Sequence, residues 1–207
     1  MFDNTEKLTK NKKYSQAELF KMVLENEDLR EKIEALFALD FKELTSVKEE
    51  YPDYEFNIDG KVFAEDGGAG VYILLEDDSI GYVYFDFPLE CGRIAENLVE
   101  WFELLLNCAN FWLNYADRKY LENLEALEKK VEESETEGQK QFEDAYGDDM
   151  PPYLELQKEL SEKLDIKIHD NIAKNVLQRF FKTAQRESKF TTKYVPDNEI
   201  AEDLIKN

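Results

Sequence analysis

Histidine, cysteine and basic side chains are all scarce in this chain, and each scarcity closes a class of function. His169 is the single histidine among 207 residues. A hydrolytic triad needs base, nucleophile and orienting group together, and no serine or cysteine nucleophile is near His169 in the sequence. It reads as an ordinary surface or capping histidine. Cys91 and Cys108 are too few for a disulfide framework and lack metal-ligand spacing, so both read as reduced thiols. Basic residues number 26 against 47 acidic ones, a formal net charge of −21. Nucleic acid and anionic membrane surfaces both demand a basic patch, and this deficit argues against either as a direct partner. Long apolar runs are missing too. Between Val99 and Tyr115 the run is broken by Glu100, Glu103, Asn107, Asn110 and Asn114, so no membrane span is expected. The first residues are polar and lysine-rich with no apolar stretch of the signal-peptide kind, and a cytoplasmic location is expected.

Acidic and aromatic side chains are what the chain has in quantity. Aromatics make up 13 % of it, enough for a packed interior despite the charge. The length suits one sizeable core, or a core with a helical annex. The acids are unevenly placed. Residues 51–110 hold 13 Asp or Glu against only Lys61 and Arg93, a net of −11 and about half of the chain's excess. Such acidity either keeps the protein in solution or matches a partner that is itself basic.

Patterning is sharpest over residues 59–106. In 70–75, Val71, Ile73 and Leu75 alternate with Tyr72 and Leu74. In 80–87, Ile80, Tyr82 and Tyr84 alternate with Val83, Phe85 and Phe87. Strands apolar on both sides belong in the middle of a covered sheet. The link Glu76-Asp77-Asp78-Ser79 suits an antiparallel hairpin. Shorter strands are expected at 54–58 and 61–64 around an Asp59-Gly60 turn, making a four-stranded antiparallel meander. After Pro88 the period lengthens. A helix is expected from near Arg93, with Ile94, Leu98, Trp101, Phe102 and Leu105 as its apolar stripe. Glu96, Glu100, Glu103, Asn107 and Asn110 form the opposite, polar stripe.

The flanks read as helical. Ser15-Gln16-Ala17-Glu18 is a capping box opening a helix with Leu19, Phe20, Val23 and Leu24 on its apolar side. A second helix follows through Leu29, Ile33, Leu36 and Phe37, and a third short one is expected from Asp40, with Leu44 and Val47 inward. Residues 1–14 read as a loose lead-in. Beyond 110, Leu113, Tyr120, Leu124, Leu127 and Val131 read as half of a helical hairpin, and Leu156, Leu160 and Leu164 as the returning helix. Between them 134–138 and 143–152 read as a long loop, broken by Gly147 and Pro151-Pro152. A helix near Asp170, a strand at 190–194 and a short final helix capped by Asp197 complete the reading. The expected class is α+β: an antiparallel-rich central sheet over about 54–87 covered by helices, with a helical C-terminal extension. One compact unit is expected, with 1–52 as a helical lead, 53–110 as sheet and packing helix, and 111–207 as mainly helical extension.

Motifs for chemistry are absent. Glu65-Asp66-Gly67-Gly68-Ala69-Gly70 is glycine-rich but lacks the Gly-Lys-Ser/Thr ending of a phosphate loop. It also precedes a strand instead of opening a helix, and reads as a tight turn. Neither Glu76-Asp77-Asp78 nor Asp144, Asp148 and Asp149 has the ligand intervals of a calcium loop. No pair stands out among the acids as a glycosidase couple, since their separation is a tertiary property. The chain reads as no enzyme, with no catalytic, cofactor-binding or metal-ligating residues.

Four segments occur in a telling order: Phe63-Ala64-Glu65-Asp66-Gly67-Gly68, Tyr72-Ile73-Leu74-Leu75, Ser79-Ile80-Gly81-Tyr82-Val83, and Ile94-Ala95-Glu96-Asn97-Leu98 leading to Trp101-Phe102. Together they resemble the C-terminal core of the SUKH superfamily, which includes fungal cell-wall assembly regulators and many bacterial immunity proteins. The resemblance covers roughly a quarter of the chain. The family's Leu-Pro-x-x-Tyr segment has only a degenerate counterpart in Glu49-Glu50-Tyr51-Pro52-Asp53-Tyr54, and the helical region after 110 is longer than the family core. The resemblance implies an immunity protein that binds and neutralises a polymorphic toxin, often a nuclease. Its partner would be a basic toxin domain. The acids near the strand turns, Glu65, Asp66, Glu76, Asp77, Asp78, Asp86 and Glu90, are then the expected partner-binding surface, against the alternative that they solvate the sheet ends. The other reading is a cytoplasmic scaffold or regulatory module that associates through its helical extension.

Overall fold

The computed structural model describes residues 14–206. Apart from Tyr14, the expected lead-in lies outside the described residues. In chain order come α1 (Gln16–Glu25), α2 (Glu27–Phe37), β1 (Leu39–Ser46), α3 (Val47–Glu50), β2 (Tyr54–Phe56), β3 (Gly60–Asp66), β4 (Gly70–Leu75), β5 (Ile80–Tyr84), β6 (Glu90–Ala95) and α4 (Leu98–Cys108). A 3₁₀ stretch, Ala109–Tyr115, leads to α5 (Arg118–Leu121), α6 (Leu124–Tyr146) and α7 (Tyr153–Leu164). A π turn, Ala173–Leu177, runs into α8 (Gln178–Ala184), and β7 (Thr192–Tyr194), β8 (Glu199–Ile200) and β9 (Glu202–Asp203) follow. The class is α+β, as expected.

The main sheet has the order β1-β3-β4-β5-β6-β9, antiparallel except for the β6–β9 pair. The two-sided strands β4 and β5 take its centre. One face, with Phe63, Tyr72, Ile80 and Tyr82, packs on α4 and its neighbours through Trp101, Phe102 and Trp112. The other face, with Val62, Val71, Ile73, Leu75 and Val83, is covered by α3 and by a second sheet of order β2-β7-β8. The result is helices, sheet and small sheet in three layers.

At α1 the predicted capping box is present: the Glu18 N–H donates to Ser15 Oγ and the Ser15 N–H donates to the Glu18 carboxylate. The expected third helix is β1 over its first part and helical only from Val47, as α3. Ala38 ends α2 in the left-handed region, and the following residues pair along β3, satisfying backbone groups that would otherwise line an open edge. Leu44 and Val47 do not share an inward face: Leu44 is 42 % exposed while Val47 is buried. Nor is the meander the predicted one. β2 leaves the main sheet and pairs with β7, so Asp59-Gly60 is not its hairpin turn to β3.

The helix expected from Arg93 starts at Leu98, capped by the Asn97 side chain, and Ile94 belongs to β6. Six consecutive buried residues, laddered to β5 and, at Glu90 and Cys91, to β9 as well, hold β6 extended. The polar stripe of α4 is only partly at the surface, because Glu103 and Asn107 are buried. Segment 166–171 and α8 cover that side. Asn107 Nδ2 donates to the Lys167 carbonyl, and Glu103 accepts from His169 and Arg179.

Residues 134–138 are helix, not loop. Ser134 and Gly138 face inward one turn apart in α6, and a Cβ on Gly138 would stand 2.7 Å from the Phe111 ring. The glycine is there for close approach, not to break the helix. Residues 143–146, expected in the second loop segment, are also helix; the breaker Gly147, at φ 51°, ends α6, and β7 takes the expected place of the strand near the C-terminus. The final helix expected after Asp197 is β8 and β9 instead, the latter closing the sheet beside β6.

Two outcomes follow from this packing. An exposed helical glycine changed to alanine gains about 1 kcal/mol. Gly138→Ala is expected to lose about 1 kcal/mol, because the Phe111 ring must move; urea unfolding of the pair reads the sign. Cys91 and Cys108 lie in the clusters on opposite faces of the sheet and cannot pair. Burial pushes the Cys91 thiol up to about 11 and raises Cys108 as well. Neither is expected to react with a thiol reagent faster than the native chain opens, and a stopped-flow time course would show early labelling if either did.

Candidate protein-binding surface

Successive turns of an antiparallel meander fall at opposite ends of its sheet, and this divides the seven predicted carboxylates. The β3–β4 turn and the β5–β6 link share one end, tied by the Phe85 N–H donating to the Ala69 carbonyl. The β4–β5 turn is at the other, a strand length or about 17 Å away at ~3.4 Å per residue. Glu65, Asp66, Asp86 and Glu90 belong to the first end. Glu76, Asp77 and Asp78 belong to the second.

At the first end most of the charge is tied down. Asp66 accepts from the Gly68 and Gly70 N–H groups at 2.9 and 3.0 Å and from the Tyr82 hydroxyl at 2.6 Å. A Cβ on Gly70 would collide with that same hydroxyl, which accounts for the glycine. Burial first, and then the bond to Asp66, push the Tyr82 phenol up, so it remains a donor. Glu65 pairs with Lys42 and accepts from the Tyr51 hydroxyl. Glu90 is buried and meets Lys206 at 3.0 Å. Asp86 is exposed and accepts only its neighbour's N–H, from Phe87, among the described residues. Phe87 is 85 % exposed, the most exposed large apolar side chain described.

At the second end Asp77 is internal in function. It accepts from the Ser79 N–H and hydroxyl, pairs with Arg93 at 3.0 Å and pairs with Arg186. Arg93 is 3 % exposed and also donates to Ser79 Oγ and the Ser188 carbonyl. Burial alone would raise the Asp77 carboxyl. The Ser79 bonds and the Arg93 charge outweigh it and hold the group below its ordinary value. Glu76 and Asp78, on either side, are exposed and form no salt bridge among the described residues, though Glu76 is near enough to Lys48 to favour its charged form. Asp78 sits at φ 66°, a conformation aspartate tolerates.

Beside Asp78 opens a groove of about 520 Å³ between α1 and the sheet. Ala17, Phe20 and Leu24 form one wall, Leu44 and Leu74 the other, and Phe63 and Leu98 are buried at its base. The Leu98 N–H donates to Gln16 Oε1, fastening α1 to the start of α4. Sequence reading missed this feature because its walls come from residues far apart in the chain. One signal was present: α1 has four apolar residues on its inner side, and only Leu19 and Val23 are fully buried.

Elsewhere, His169 Nε2 lies 2.5 Å from Glu103 Oε1, with Arg179 at 2.7 Å from Oε2. These groups tether segment 166–171 and the start of α8 to α4, with no nucleophile among them. Among the described residues no group of three or more His, Cys, Asp or Glu is placed to hold a metal ion, and no helix is long and apolar enough to cross a membrane. Comparison with protein-family models, with curated proteins and with solved structures finds no match to the chain.

Asp77 and Glu76 are therefore expected to separate in a stability measurement. Asp77→Asn is expected to cost about 1–2 kcal/mol near neutral pH, since it leaves the buried Arg93 under-partnered while the half-buried Arg186 keeps Glu96. Glu76→Gln is expected to stay within about 0.5 kcal/mol. Because the native Asp77 value is depressed, its contribution is complete above the ordinary value of 3.8 and fades as pH falls through the lower native value. The Asp77→Asn deficit should shrink there, and urea midpoints measured against pH would show it.

Proposed function

We propose that this chain is a SUKH-type immunity protein that binds and neutralises a basic polymorphic toxin domain, of which a nuclease is the leading class. The observation that carries the reading is an exposed carboxylate, Asp78, with no salt bridge among the described residues, at the edge of an apolar groove, while Glu65, Asp77 and Glu90 are held in salt bridges. Apolar surface edged by free charge is the composition of a protein interface. Net charge of −21 draws a basic partner from a distance and speeds capture, which suits an inhibitor that must act before damage is done. A nuclease cleft built for phosphates is such a partner. The four SUKH-like segments fall on β3, β4, β5 and the β6–α4 junction, which supports reading them as one module. Neutralisation by occupancy asks no catalysis of this chain and places its action in the cytoplasm, where the toxin would reach its target.

The scaffold reading has one observation in its favour. A cavity of about 470 Å³ lies between α5–α6 and α8, lined by Tyr120, Leu121, Leu124 and Phe181, and Leu154 on α7 is 57 % exposed. Sedimentation separates the two, since a scaffold that associates through this extension forms oligomers.

Capture of the toxin domain encoded beside this chain tests the proposal. The expected complex is tight, weakens with salt and restores growth on co-expression. The double variant Glu76→Gln, Asp78→Asn is expected to bind about three- to tenfold more weakly, chiefly through a slower on-rate, with a shallower salt dependence. Unchanged affinity and salt slope would sink the assignment of this surface.

A further inference from the structure

We infer that the groove between α1 and the sheet takes an apolar side chain from a lysine- or arginine-flanked segment of a partner protein. The inference rests on the binding reading above, but not on the toxin's identity. Its volume lies within the range of about 300–1,000 Å³ common for ligand sites, and its walls are aliphatic and aromatic. Phe20, Leu24 and Leu74 are only half-buried, and Leu44 stands 42 % exposed on the open rim.

Charge selects the occupant. Asp78 lines the groove and Glu43 is exposed next to Leu44. Glu25 answers Lys21, the one cation lining the groove among the described residues, at 3.7 Å with both side chains largely in solvent. A second copy of this chain would bring −21 against −21, and nucleic acid would be repelled likewise. A cationic segment gains at each of these carboxylates while its apolar residue is desolvated, the arrangement of a buried anchor within a polar rim.

The contact is made by side chains and not by strand addition. The Phe41 N–H on the β1 edge donates to Glu34, and the β1–β3 ladder shifts register between Phe41 and Thr45. Such a capped and bulged edge is a poor template for another strand. Leu44 is carried on that irregular stretch, which brings its side chain over the groove.

The test uses the full chain with labelled methyl groups and two synthetic twelve-residue peptides, one of leucine and lysine, the other with glutamate for each lysine. The lysine peptide is expected to shift the methyls of Leu24, Leu44, Leu74 and Leu98 and to bind more weakly as salt rises. Leu44→Asp, at an exposed position, is expected to keep a native spectrum and lose at least about tenfold in affinity. Asp78→Asn, which keeps the backbone conformation, is expected to lose about threefold. Equal binding of both peptides, shifts elsewhere, a dimer abolished by Leu44→Asp, or Overhauser contacts from the chain's own residues before Tyr14 into the groove would each overturn the inference. The two proposals fail separately. No capture of the toxin with peptide binding intact removes the immunity reading alone, whereas toxin capture indifferent to Leu44→Asp removes the groove.

Discussion

Strands β4 and β5 carry apolar side chains on both faces, and neither face can be left in water. Fully burying one such side chain stabilises by about 1.5–3 kcal/mol, so the sheet centre requires cover above and below. On one side Trp101, Phe102 and Trp112 supply it, arriving directly after β6. On the other, cover comes from Val47, from β2, and from Phe190 and β7 near the end of the chain. This demand accounts for the features that break a simple meander. β2 is drawn away from β3 to pair with a strand nearly 140 positions later, and the last residues return to close the sheet through β9.

Electrostatics is organised by a shortage of cations. With 26 basic residues for 47 acids, most carboxylates near the sheet ends compete for few partners. The cations that do lie there go to positions where burial makes an unpaired charge costly. Arg93 and Arg186 gather Asp77 and Glu96, Lys42 takes Glu65, and Lys206 takes the buried Glu90. The remaining acids, Glu76 and Asp78 at one end and Asp86 at the other, face solvent without a salt bridge among the described residues, although Lys48 lies close enough to feel the charge of Glu76. Selecting a binding surface by acidity alone therefore gathers groups with opposite duties. Asp77 lies between two carboxylates that form no salt bridge among the described residues, and it holds the fold.

Several elements were legible for reasons that stay within a few residues. The α1 capping box is a contact between Ser15 and Glu18, and the alternation in β4 and β5 is a property of extended backbone. Others were misread because local pattern and tertiary demand disagreed. Leu44 and Val47 are spaced as on a helix, yet the open edge of β3 took the segment as a strand. Arg93 looked like the start of a helix, yet its buried contacts with Ser79, Asp77 and Ser188 require β6 to stay extended. Gly138 looked like a break, yet a Phe111 ring packed against the helix axis needs a residue without a side chain there.

By itself, then, the sequence determined the α+β class, the two-sided central strands, the first two helices and the concentration of acid about the sheet ends. All of these follow from periodicity, caps and composition, which act over neighbouring residues. Only the tertiary structure decided which carboxylates are free, that the predicted seven fall at two ends, and that a groove opens beside Asp78. The reason is physical. Whether a carboxylate is free depends on which cation the fold brings to it, and Asp77 meets Arg186 across more than one hundred positions. The groove likewise exists only between α1, β1 and the β4–β5 hairpin, and no single one of them contains it.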